Sequence, residues 1–178
     1  MPFLRRTRDI KLLDALDELE RTSIEDVVWR VVREGSNPLA GSASGGRWDT
    51  GEFDVLYTSF EPDGALAEMY FHLSRQPVFP SKVRFTANEI SIKTHNTLKF
   101  ANLQALVPLG VVASEYTGIL YEKTREIADA AHFLGFDGII SPNARWRCLN
   151  LALFPDRLTH EDLVLTSASI VDWGKWNG

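Results

Sequence analysis

Apolar and polar positions change period several times along the chain, and each change predicts an element. Ile10, Leu12, Leu13, Leu16 and Leu19 recur at helical spacing among Asp and Glu, so a short amphipathic helix is expected, ending near Arg21-Thr22-Ser23. The β-branched run Val27-Val28-Trp29-Arg30-Val31-Val32 predicts a strand, and the stretch from Gly35 to Gly46, rich in Gly, Ser and Asn, predicts a loop. Val55-Leu56-Tyr57-Thr58 reads as a second strand. The turn Ser59-Phe60-Glu61-Pro62-Asp63 leads into a helix from about Pro62 to Ser74, because proline is tolerated in a first turn, where its missing N–H has no helical partner. Lys82 to Ile92 alternates as a strand does. Tyr121 to Leu134 predicts a helix ended by Gly135, followed by a buried strand at Asp137-Gly138-Ile139-Ile140 and further strands at Leu149 to Phe154 and Leu163 to Ile170.

Helices and strands are therefore interleaved, but the strands are short, unevenly spaced and without the glycine fingerprint of a dinucleotide-binding βαβ unit. An α+β fold with a mixed, mostly antiparallel sheet is expected. With 178 residues, 44% hydrophobic and 24% charged, the chain suits one domain over residues 1–178, with residues 1–25 as an N-terminal helical extension. Nineteen Lys plus Arg against 24 Asp plus Glu leave a formal charge of -5. Bulk electrostatics then draw the protein to neither nucleic acid nor anionic membrane, and a phosphate-bearing ligand must be caught locally. Cys148 is the single cysteine, so no intramolecular disulfide is expected, no thiolate metal site, and a reducing cytoplasm fits. Arg5, Arg6 and Arg8 are followed by Asp9-Ile10-Lys11-Leu12-Leu13-Asp14, too charged for a signal-peptide core, and no apolar run approaches the roughly 20 residues that span a bilayer.

Four positions could carry chemistry. In Gly45-Gly46-Arg47-Trp48 the glycines permit close backbone approach and the arginine offers a bidentate fork to phosphate, although a plain loop anchored by its tryptophan gives the same letters. Tyr57, on a strand, is either a core aromatic or a ring that stacks on a flat cationic ligand while its hydroxyl bonds a sugar. Glu68 falls off the apolar stripe of Leu66, Met69, Tyr70 and Leu73, beside Ala65 and His72; alone, it reads as a solvated carboxylate. Arg30 interrupts a strand, which marks a wet face or an arginine turned into a cleft to hold phosphate.

The order Trp29-Arg30, Gly45-Gly46-Arg47-Trp48, Leu56-Tyr57-Thr58-Ser59, Glu68, Phe136-Asp137-Gly138-Ile139-Ile140, Pro142-Asn143-Ala144-Arg145 and Leu149-Asn150-Leu151-Ala152-Leu153-Phe154 resembles the RES domain, from about Val27 to Phe154. That resemblance implies an ADP-ribosyltransferase-like α+β fold, with a split sheet and flanking helices. It also implies a toxin held by a cognate antitoxin, with NAD as substrate and no metal. Family members destroy NAD by hydrolysis or phosphorolysis, or transfer its ADP-ribose to a protein. The family's Arg, Tyr and Glu fall on Arg47, Tyr57 and Glu68, with Arg30 lining the pocket. Thr124 and Arg125 fall where many members place a polar pair facing the pocket, which implies NAD binding by Thr124, although their charged neighbours favour a plain helix surface.

Asn143 stands where the family has its serine; it keeps donors and acceptors and is expected to bind substrate, but serine chemistry there is lost. Ser141 is expected to aim elsewhere. In the reaction so implied, Glu68 stabilises an oxocarbenium-like sugar, Tyr57 stacks on the nicotinamide–ribose end and the two arginines hold the phosphates. Trp173, Trp176 and the Leu12–Leu19 helix either meet the antitoxin or pack on the chain's own body. The reading from another class is a non-catalytic binding module of the same fold.

Overall fold

In the computed structural model, residues 7–176 are described; Arg5, Arg6 and the rest of residues 1–6 of the expected extension lie outside them. Helix α1 (Ile10–Asp17) is capped by Asp9, whose carboxylate accepts the Lys11 N–H, and it buries Leu16 completely against helix α3 (Glu122–Phe133). Strand β1 (Thr22–Arg33) starts inside the stretch expected to be a helical extension, so among the described residues that extension is helical only over α1. Strand β2 (Leu56–Ser59), helix α2 (Pro62–Ser74), strand β4 (Gly138–Pro142), strand β5 (Leu149–Leu153) and strand β6 (Leu163–Ile170) follow the sequence pattern closely.

Strand β3 (Phe85–Lys99) does not: it runs seven residues past the expected end at Ile92. Polar His95-Asn96-Thr97 stay in the strand because Asp137, 3% exposed, satisfies them. Its carboxylate accepts the backbone N–H of His95 (2.7 Å) and Asn96 (2.9 Å) and the Thr97 hydroxyl (2.9 Å). This length decides the topology. Phe85 to Thr97 pair with β1, and Thr97–Lys99 reach β4 in parallel register.

The order β1-β2-β5-β4-β3 therefore closes back on β1, with β6 added to β3. The split sheet implied by the resemblance is corrected to a closed barrel: one long strand spans the gap that a strand ending at Ile92 would leave open. Every pairing but β3–β4 is antiparallel, as expected of a mixed sheet.

Each barrel strand feeds one buried cluster, Val28, Leu56, Ile90, Ile92, Ile140, Leu151 and Leu153. A second cluster, including Leu16, Trp48, Phe100, Ile127 and Phe136, packs α1 and α3 on the barrel. A third holds α2 against β1 through Val31, Ala65, Leu73 and Phe85. Helix α2 buries Gly64, Ala65, Ala67 and Leu73, whereas Tyr70 of the expected stripe is 42% exposed. Small residues let this helix sit close. Trp173 and Trp176 pack on Tyr70, and the Trp176 indole donates to Asp63 at 3.2 Å, so the C-terminal aromatics cover α2. No helix among the described residues is long and apolar enough to cross a membrane.

Candidate active site

The loop between β1 and β2 is held from both sides. Gly45 has φ of 89°, a left-handed conformation that suits glycine, and its N–H donates to Asp49 at 2.7 Å; the other Asp49 oxygen accepts from Gly51 at 2.7 Å. Asp49 is completely buried yet fully engaged. From α3, the Arg125 guanidinium donates to the Gly45 and Gly46 carbonyls, and the Thr124 hydroxyl donates to the Arg47 carbonyl at 2.7 Å. Three successive carbonyls are thus fixed by two neighbouring helix residues. From β2, the Tyr57 hydroxyl accepts the Trp48 N–H at 3.0 Å.

Gly46 serves packing. A Cβ on it would lie 2.5 Å from the Tyr57 hydroxyl oxygen and 2.8 Å from Cζ. Because that ring is rigid and largely enclosed, Gly46→Ala is expected to push Tyr57 off Trp48. It should destabilise the fold by about 1–3 kcal/mol, a Tm loss of roughly 2–4 °C per kcal/mol for a chain of this size, read by thermal denaturation.

The arginine on this loop is stacked. Its Cζ lies 4.3 Å from the Tyr116 ring centroid and 4.8 Å from that of Tyr121, and Nη1 donates to the Tyr116 carbonyl at 2.5 Å. Tyr116, 3% exposed, donates its own hydroxyl to the Pro142 carbonyl at 2.6 Å. Arg30 on β1 donates from Nη1 to the Pro38 and Ala40 carbonyls at 3.2 and 2.8 Å, tying the strand to the start of the same loop.

Arg30, Arg47, Tyr57 and Glu68, scattered along the sequence, line one cavity of about 510 Å³. Ser141 lines it too, contrary to expectation. Thr124 and Asn143 do not: Thr124 faces a larger adjoining cavity of about 1000 Å³ that shares Arg47, Tyr116 and Tyr121, and Asn143 is buried beside Gly64 and Asn150. Tyr116, Tyr121, His72 and Arg75 also line the smaller cavity and were not singled out in the sequence. Tyr116 comes from an irregular stretch with no periodicity, and Tyr121 opens the predicted helix, where nothing marks its ring as facing a cavity; His72 lies one helical turn after Glu68, a spacing that could have flagged it.

Charge is concentrated here against the trend of the whole protein. Arg30, Arg47 and Arg75 face the cavity, and Glu68 is its single lining carboxylate among the described residues, while the chain carries -5. Burial holds the Tyr57 phenol well above its usual range, so it stays a neutral O–H; since its oxygen already accepts from Trp48, the proton is available to a ligand. Partial burial lowers the His72 imidazole, opposed by Glu68 and reinforced by Arg75, Arg145 and Arg47. Burial likewise lowers Arg30, which remains a cation at any physiological pH. The arrangement suits an anionic ligand with a sugar or polar ring near one carboxylate.

The model of the RES domain matches residues 27–173, beyond the Phe154 limit read from the motifs. A protein named Probable NAD(+) phosphorylase from Mycobacterium tuberculosis is 31% identical over 150 residues, which are 82% of this chain and 72% of that protein. A chain in the crystal structure of the M. tuberculosis MbcT–MbcA toxin–antitoxin complex superposes with a TM-score of 0.81 at 17% identity, covering 92% of this chain and 93% of the other, and so shares its fold.

Proposed function

The chain belongs to the RES-domain family, and from that premise we propose that it is a toxin enzyme that breaks the nicotinamide–ribose bond of NAD and is restrained by a protein antitoxin. The observation that carries this reading is the meeting of Arg30, Arg47, Tyr57 and Glu68 around one cavity whose charge opposes that of the whole chain. Arg47 and Arg30 supply guanidinium groups for the two phosphates. Tyr57, a neutral phenol, stacks on the nicotinamide–ribose end and donates its O–H to it. As the C1–N bond breaks, the ribose gains positive charge and the leaving nicotinamide loses it. The Glu68 carboxylate offsets that growing charge, an interaction stronger in the transition state than in the ground state.

Phosphate is the acceptor that the named relative favours: its oxygen forms the new bond to C1 as nicotinamide departs with the bonding electron pair. The arginine-rich rim suits a small anionic nucleophile. Incubating the protein with NAD, with and without inorganic phosphate, and following products by phosphorus NMR tests this. A phosphorylated ADP-ribose that forms only with phosphate is expected; free ADP-ribose at an unchanged rate in both samples would assign the acceptor role to water, and label from NAD retained on protein would assign it to a protein side chain.

A further inference from the structure

Asn143 holds a position that the cavity itself does not explain. It is 8% exposed, and its side chain uses both N–H groups and both carbonyl lone pairs. Nδ2 donates to the Gly64 carbonyl at 3.2 Å and to Asn150 Oδ1 at 2.8 Å; Oδ1 accepts the backbone N–H of Arg145 at 2.7 Å and of Trp146 at 3.0 Å. A serine hydroxyl, with one donor and a shorter reach, could not hold these four groups together.

The Gly64 carbonyl has particular importance: it lies inside α2 (Pro62–Ser74), where the α-helical pattern pairs it with the N–H of the residue four positions on, Glu68. Asn143 is thus one carbonyl away from the Glu68 backbone. The first turn of α2 has no slack: a Cβ on Gly64 would lie 2.2 Å from Ser59 Oγ, 2.5 Å from Cys148 Sγ and 3.0 Å from Asn143 Nδ2. At its other end Asn143 fixes the backbone of Arg145, whose guanidinium stacks 3.4 Å over the Phe71 ring and interacts electrostatically with Glu68.

We propose that Asn143 is a positioning residue: by joining the Gly64 carbonyl to the Arg145 and Trp146 amides, it sets the seat of α2 and therefore the placement of the Glu68 carboxylate in the cavity. The consequence for turnover rests on the reading of Glu68 given above, whereas the mechanical link does not. Arg30, Arg47 and Tyr57 stand on β1, its following loop and β2 and not on α2, so the link bears most directly on Glu68.

Asn143→Asp tests it. The carboxylate keeps one oxygen for the Arg145 and Trp146 amides but turns the other against the Gly64 and Asn150 oxygens. We expect kcat to fall about tenfold or more while KM for NAD stays within about threefold, as misplacement of a reacting group does. Lowering the pH should shrink the deficit relative to wild type, because a protonated, buried Asp regains a donor for Gly64. The Glu68 amide should exchange faster with deuterium in Asn143→Asp than in wild type. Asn143→Ser, uncharged and smaller, should give an intermediate kcat and guards against a misfolded Asp variant.

Folded Asn143 variants with wild-type kcat, or with KM rising in step with the loss of kcat, would overturn the proposal. If wild type consumed no NAD, the assigned reaction would fail while the exchange measurement still decided the link: unchanged Glu68 protection in folded Asn143→Ser would refute it.

Discussion

Replacing Glu68 with Gln is expected to leave affinity for NAD close to wild type and to lower kcat by about 10²-fold or more, the usual result of removing one preorganised electrostatic group. The substitution preserves shape and hydrogen-bonding reach but removes the negative charge. In the ground state the ribose is neutral, so little binding is lost. In the transition state the ribose is cationic, and among the described residues Glu68 is the one carboxylate lining a cavity that Arg30, Arg47 and Arg75 also face. Steady-state kinetics, with binding measured separately by calorimetry, separates the two effects. A variant that bound NAD poorly but turned it over at the normal rate would assign Glu68 to binding alone.

Arg47→Ala should do the reverse. Loss of a guanidinium that contacts phosphate costs about 1.5–3 kcal/mol, which is roughly 10- to 150-fold in affinity, so KM should rise far more than kcat falls. The side chain also organises its surroundings, through its stacking on Tyr116 and Tyr121 and its hydrogen bond to the Tyr116 carbonyl. For that reason Arg47→Lys is expected to recover only part of the affinity: lysine restores the charge but neither the planar fork nor the stacking. Calorimetric titration of both variants with NAD checks this order, and equal affinity in wild type and Arg47→Ala would remove Arg47 from the binding surface.

The sequence was informative where a local rule acts alone. Pro62 in a first turn marked the start of α2, and apolar spacing bounded β6 without error. It was uninformative where a distant partner decides. His95-Asn96-Thr97 look like the end of a strand until Asp137, forty residues on, satisfies their N–H and hydroxyl groups; barrel closure depends on that extension and stayed hidden with it. The resemblance named Arg30, Arg47, Tyr57 and Glu68, and the fold brings all four to one cavity.

The same resemblance transfers an address in the sequence, not the direction of a side chain. Thr124 occupies its expected place but spends its hydroxyl on the Arg47 and Tyr121 carbonyls, and Asn143 turns to Gly64 and Asn150. Of the two tyrosines that hold Arg47 in place, Tyr116 follows a short 3₁₀ turn without a readable period, and Tyr121 caps α3, whose period says nothing of where a cap residue's ring turns.

The most direct test of the central claim is the release of nicotinamide from NAD by the purified chain in phosphate buffer, followed by chromatography. Nicotinamide should appear in a one-to-one ratio with NAD lost, and Glu68→Gln should nearly abolish its appearance. NAD that remained intact with folded wild-type protein and phosphate present would contradict the account.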